Sequence, residues 1–163
     1  MCKTSKKIKY ILIFFVCSPN STHLVERFPV VYNSHNVKKI VSLYSDDATF
    51  EVVGQFLLKG KNQIRDIAEY DSVLNIHMSV RNIKASGDTI FCDISETNEW
   101  LKLLEIDEAY YTAIFIFQGG LIKHIRAEAK PETQQAFNQV LSPLMKWARD
   151  NNANVLGEMM LEG

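Results

Sequence analysis

Glu96, Asn98 and Trp100 occupy alternate positions in the stretch Thr89 to Trp100, and Asp93, Ser95, Thr97 and Glu99 fill the other alternate set. Residues two apart on an extended strand share a face. The set that begins Ile90, Cys92 and Ile94 is the apolar one, so the face that should meet the core turns polar at Glu96. A carboxylate there costs several kcal/mol unless it is paired, hydrogen-bonded or neutralised. Two readings follow. In the first, Glu96 lines a pocket and is the candidate catalytic residue: a general base that removes a proton from a carbon acid or activates water, while Asn98 or Tyr111 steadies the oxyanion. In the second, the sheet rim is wet there, or Glu96 simply accepts hydrogen bonds from Asn98, Tyr111 or another tyrosine.

His124, Arg126 and Glu128 also alternate, but strand geometry puts them outward, with spacing suited to cross-strand ion pairing rather than catalysis. Their strand's inner set reads Leu121, Ile125, Ala127 and Ala129, whose small members leave space. His77 falls outward with Ser79 and Arg81, and no two histidines have metal-ligand spacing, so no metal site is expected. Gly119-Gly120 suits a hairpin turn rather than a phosphate loop, and there is no serine nucleophile elbow; no cofactor is expected. Cys2 and Cys17 lie near the start, leaving Cys92 alone in the body as a small buried hydrophobe.

The elements that would position these residues read as helices, then strands, then one closing helix. His23 to Tyr44 gives a helix, a turn broken by Pro29 and Asn33 to Asn36, and a second short helix capped by Asn36. A strand over Ala48 to Val53 follows, then a hairpin-like link from Gly54 to Gly60. A helix capped by Asn62, with Ile64, Ile67 and Ala68 on one side, fades near Asp71. Period-two segments run from Ile76 to Lys84, Thr89 to Trp100, Tyr110 to Gln118 and Leu121 to Lys130. Pro131 opens the last helix, with a kink at Ser142-Pro143. The order predicts an α+β fold in which helices cover one face of a curved antiparallel sheet. Tyr110 to Gln118 is apolar on both faces, which points to a covered outer side and a homodimer through the sheet.

At 163 residues, 47% hydrophobic and 23% charged, the chain suits one globular domain with its own core. Eighteen Lys plus Arg against nineteen Asp plus Glu give a net charge of -1, which disfavours a nucleic-acid partner. Lys3, Lys6, Lys7 and Lys9 precede the apolar Tyr10 to Cys17, too short to span a bilayer as a helix. The expected division is a leader over 1–22, a domain over 23–152 and a flexible tail over 153–163. The leader favours export or anchoring over a cytoplasmic protein, with any membrane contact made through that leader if it stays uncleaved.

Asn33 to Glu51, with its Val37-Lys-Lys-Ile-Val-Ser-Leu-Tyr44 core and Ala48-Thr-Phe-Glu51 end, followed by Leu58 to Ile64, resembles the SnoaL-like branch of the nuclear transport factor two-like superfamily. Ile83 to Thr89 and Gly120 to Arg126 match that pattern's later turn and last strand, so the likeness covers roughly Leu24 to Asn152. It implies a cone-shaped α+β barrel whose concave face is covered by the N-terminal helices, with a C-terminal helix added. It is weak for function, because the fold hosts isomerases, epoxide hydrolases, polyketide cyclases, transport adaptors and noncatalytic binding domains. Where steroid-isomerase-like members carry a tyrosine and two acids, the matching positions are Phe28, Val52 and Ala113; where epoxide-hydrolase-like members carry an aspartate, it is Ala127. None has the required group. The expectation is therefore a binding domain for a small hydrophobic ligand, noncatalytic or of unknown activity. Its pocket consists of Phe28, Val52, Glu96, Asn98, Trp100, Tyr111, Ala113, Ile125 and Ala127. The alternatives are an isomerase, cyclase or hydrolase with Glu96 as base, and a homodimeric interaction module.

Overall fold

The structure, a computed structural model, describes residues 22–152. The tail over 153–163 and all of the leader except Thr22 lie outside the described residues. Helix α1, Thr22–Tyr32, runs through Pro29 without a break and buries Val25, Phe28 and Tyr32, which recur at helical spacing. Its end is fastened to a distant strand. The Asn33 amide donates to Met78 O at 2.9 Å while its oxygen accepts from Met78 N at 2.8 Å, and His35 Nε2 bonds Ile76 O at 2.8 Å. Helix α2, Val37–Val41, is capped as expected: Asn36 Oδ1 accepts from Lys39 N at 3.0 Å.

Strand β1, Tyr44–Val52, starts earlier than expected, and the link after it contains a short strand, β2, Phe56–Lys59. Helix α3, Gly60–Val73, begins before Asn62, and Gln63 Oε1 takes the N–H of Lys59 at 2.7 Å in place of an asparagine cap. Gly60 is at φ 76 where the chain turns from strand to helix, and a Cβ there would meet Asp46 O at 3.4 Å. Helix α3 ends at Val73, two residues past Asp71 and close to where it was expected to fade. Its buried stripe is Ile64, Ala68 and Asp71, so the last member of an apolar row is an acid.

Strands β3, His77–Ser86, β4, Thr89–Thr97, β5, Ala109–Gln118, and β6, Leu121–Ala129, follow. Strand β4 stops short of Trp100, because Asn98 leaves the sheet to cap a five-residue helix, α4, Glu99–Leu103. The strand order is β2-β1-β6-β5-β4-β3, so the sheet stays open, with β2 and β3 as its edges. Every neighbouring pair is antiparallel except β1 with β6, which run parallel, so the sheet is mixed where an antiparallel one was expected. The two are far apart in sequence and need no tight turn between them.

Register shifts interrupt the sheet at three places, one of them between Tyr44 and Thr49 in β1; the other two are bulges in β3 and β6. Asn82, at φ 55, marks a register shift between Arg81 and Lys84 in β3, and Lys123 is the extra residue of β6 opposite Ile116 and Phe117. The second bulge corrects the inner set of β6. Before it the buried residue is Ile122, with Leu121 exposed; after it Ile125 and Ala127 face inward. Gly119 and Gly120 both have positive φ, as a two-residue hairpin turn between β5 and β6 requires.

The core lies on the concave side, with Phe28 edge-on to Phe115 at 5.1 Å between ring centroids. A smaller cluster of Leu101, Leu104, Ile106 and Ala109 lies under the first half of helix α5, Pro131–Asn151, which continues through Pro143. Thr133 Oγ1 accepts from Tyr110 N at 2.7 Å and pins α5 to β5.

Candidate functional site

On the concave side the sheet, α1 and α3 leave an open-mouthed cavity of about 840 Å³, closed over in part by α4 and α5. Phe28, Phe115 and Ile125, each 2% exposed or less, form its floor, while Tyr70 and Trp100 stand exposed at the rim. Gln55, Asn98, Gln134 and Asn138 add amides to the wall, and two acids stand on it: Asp71 from α3 and Glu96 from β4.

Asp71 is 7% exposed, and Tyr32 donates a short hydrogen bond to its Oδ2. Burial pushes the Asp71 carboxyl up to about 6, against the pull of the Tyr32 hydrogen bond. Glu96 is partly buried, and Asn98 Nδ2 donates to its Oε1 at 2.6 Å. Burial again dominates, raising Glu96 to about 7; the Asn98 bond opposes this and the nearby Asp71 charge adds to it. The Tyr111 hydroxyl is also shifted upward, by burial first and then by the charges of Glu96 and Asp71. Tyr44, fully buried, has a hydroxyl with no hydrogen-bond partner among the described residues and responds to Asp71 in the same way.

Asn98 donates to Glu96, as one of the two readings of the sequence expected, and also caps α4. Its Oδ1 accepts from Leu101 N at 2.7 Å, so its oxygen holds α4 while its amide steadies Glu96. It positions the acid. Strand β4 and helix α4 are thereby locked together at the cavity wall.

The family pattern that matches this chain is the SnoaL-like domain, over residues 25–125. The chain belongs to the SnoaL-like family. No curated relative matches this SnoaL-like chain. Among solved structures it is similar to an LEH-like epoxide hydrolase of M. tuberculosis, at 14% identity and TM-score 0.60 over 77% of this chain and 94% of that one. It is also similar to SalBIII, an epoxide hydrolase/cyclase-like enzyme of pyran ring formation in the polyether salinomycin, at 17% identity and TM-score 0.59 over 68% and 91%. An NTF2-like protein of unknown function from Cytophaga hutchinsonii aligns at 13% identity and TM-score 0.56 over 70% and 94%. These likenesses carry the NTF2-like fold, whose members include isomerases, cyclases and hydrolases.

In this SnoaL-like domain Phe28, Val52, Glu96, Asn98, Trp100, Tyr111, Ile125 and Ala127 all stand on the cavity wall. Ala113 does not: at 2% exposure it is packed between Cys92 and Ala127 in the sheet. Trp100 reaches the rim from α4 and not from the strand. His124 bonds Thr49 at 2.6 Å, and Arg126 pairs with Glu51 and Glu128, each at 3.4 Å, all away from the cavity. Among the described residues no cluster of three or more His, Cys, Asp or Glu could hold a metal ion. Burial pushes the Cys92 thiol up to about 12, and the Asp93 charge adds to that.

Asp71 and Tyr32 are functional candidates that the strand patterning does not point to. The signal for them lies in helical spacing. Tyr32 continues the row Val25, Phe28 by one turn, and Asp71 continues Ile64, Ala68.

Proposed function

We propose that the chain binds a small, largely apolar molecule in the cavity and orients it through a polar group presented to Glu96 and Asp71. The observation that carries this reading is the pair of raised carboxyls on the wall of a hollow of about 840 Å³ whose floor is apolar. A solid core would not leave that volume beside two acids. Phe28, Phe115 and Ile125 supply the apolar floor, and Tyr111 adds a hydroxyl. The test is a thermal-shift screen of apolar metabolites that carry one polar group, on the wild type and on Glu96→Gln. A true ligand at a hundredfold excess over its Kd adds about 2.7 kcal/mol to stability. If no member of a broad panel shifts the midpoint, and Glu96→Gln changes nothing, the reading falls.

A second reading is catalytic. Carboxyls shifted toward neutral pH suit proton transfer: one ionised acid takes a proton from a carbon acid or water while a neutral neighbour or Tyr111 donates to the oxyanion. Exchange of a bound ligand's acidic C–H for deuterium, lost in Glu96→Gln, distinguishes it from binding alone. A third reading concerns the outer face. Phe91, Ile114 and Ile116 make an apolar strip there, flanked by Arg126 and Glu128, and this strip is the proposed homodimer surface. Light scattering from a monomer at high concentration would remove it.

A further inference from the structure

The cavity carries two acids and no base. No Lys, Arg or His lines it among the described residues, whereas the sheet's solvent-facing acids have cations beside them: Asp93 has Lys130 at 2.9 Å, and Glu51 has Arg126 at 3.4 Å. Among the described residues Asp71 and Glu96 have only neutral donors, Tyr32 and Asn98, one hydrogen bond each. A carboxylate offers about four lone-pair sites, so both keep unfilled acceptor capacity facing the hollow. A neutral apolar ligand would leave that capacity unfilled in a drier cavity, and an anion would meet like charge.

We infer that the ligand is a cation: a protonated amine on an apolar body, with its ammonium between Glu96 and Asp71 and its body against Phe28, Phe115 and Ile125. The inference rests on the reading of the cavity as a ligand site. An ammonium brings three donors and the missing positive charge, and charge-assisted hydrogen bonds are the strong kind. The aromatic walls suit it as well, because ring faces attract a desolvated cation.

The groups that face the two acids are Tyr32 from α1, Tyr44 from β1 and Tyr111 from β5, together with Asn98, and none of them can supply a positive charge. The pH dependence therefore has a definite sign. An ammonium favours the ionised acids, so it binds with proton release between pH 5 and 8. Its affinity falls as the solution is acidified through about 7 and about 6, where Glu96 and Asp71 take up protons.

The test uses the full chain and three matched probes: naphthylmethylamine, naphthylmethanol and naphthoate, titrated by calorimetry at pH 7.5 and pH 5. The expected result is about tenfold or more tighter binding of the amine than of the alcohol at pH 7.5, equivalent to about 1.4 kcal/mol. That preference shrinks at pH 5, and naphthoate binds worst. In Glu96→Gln the amine's preference over the alcohol falls to about threefold or less at pH 7.5. If the alcohol binds as well as the amine, or naphthoate binds best, the cation inference is overturned and the cavity reading stands. If none of the three binds, both fall. The wild-type comparison alone decides between these outcomes, so it does not depend on the variant folding.

Discussion

The concave and convex faces of the sheet both carry carboxylates, and their acidities move in opposite directions. On the cavity wall, burial raises Asp71 to about 6 and Glu96 to about 7. On the outer face Asp93 is lowered, first by a hydrogen bond from Asn82 and then by one from Lys130; at the sheet's end Asp47 is lowered, first by Lys123. The acids are alike; what differs is whether a donor or cation outweighs desolvation. The outer acids gain stability from ionising, present above their unfolded pKa and lost as pH falls through the lower folded value. For the inner acids the sign reverses: folding favours their protonated forms, so that stability is present below the unfolded pKa and lost as pH rises through the folded value. The convex face pairs its acids with cations, whereas among the described residues no Lys, Arg or His lines the cavity beside Asp71 and Glu96.

The contrast is sharpest at Glu96. A rise from 4.5 to about 7 makes the ionised form cost on the order of 3 kcal/mol of stability, lost between about pH 4.5 and 7 as the solution becomes more alkaline. Glu96→Gln keeps an oxygen for the Asn98 amide and cannot ionise. Urea denaturation of this variant should show a flatter stability profile over that window and a gain at pH 8 of the same order, leaving only the Asp71 contribution between about pH 4 and 6. A variant as steep as the wild type would put Glu96 in solvent and erase the difference between the faces. Tyr32→Phe should act the other way and somewhat less strongly. It removes the donor that holds Asp71 down, leaves a buried carboxylate without its hydrogen bond, and costs about 2 kcal/mol at pH 8. NMR titration should then find Asp71 above about 6. An unchanged Asp71 would mean that the hydroxyl does not govern it.

The alternation along β4 is legible in the sequence because period-two patterning is local, and it is enough to put Glu96 on the core-facing side of the strand. The inner set of β6 is not legible at Leu121, because the bulge at Lys123 shifts the face by one residue and register shifts depend on the partner strand. Trp100 looks like a strand residue because Asn98 reads equally well as part of a strand or as a helix cap, and only the sheet's end decides between them. Asp71 is hidden for a related reason. A carboxylate ends an apolar stripe wherever a helix reaches water, and nothing local says that Tyr32, far away in sequence, is waiting for it. The parallel β1 and β6 pair is likewise a product of topology, invisible to any window on the sequence.

The smallest expected effect tests the convex side of the comparison. Arg126 is 40% exposed and meets Glu51 and Glu128 at 3.4 Å, long contacts for charged partners. Exposed pairs of this kind contribute about 0–1 kcal/mol and are screened by salt. Arg126→Ala should therefore shift stability by less than about 0.5 kcal/mol in urea denaturation, and high salt should remove even that. The same residue borders the apolar strip of Phe91, Ile114 and Ile116, so burial against a second copy would take its ion pairs out of water. Removing one partner of a shielded pair costs about 3–5 kcal/mol. A loss of that size, growing with protein concentration, would show that the convex face is not a finished solvent surface, and both sides of the sheet would then depend on an absent partner.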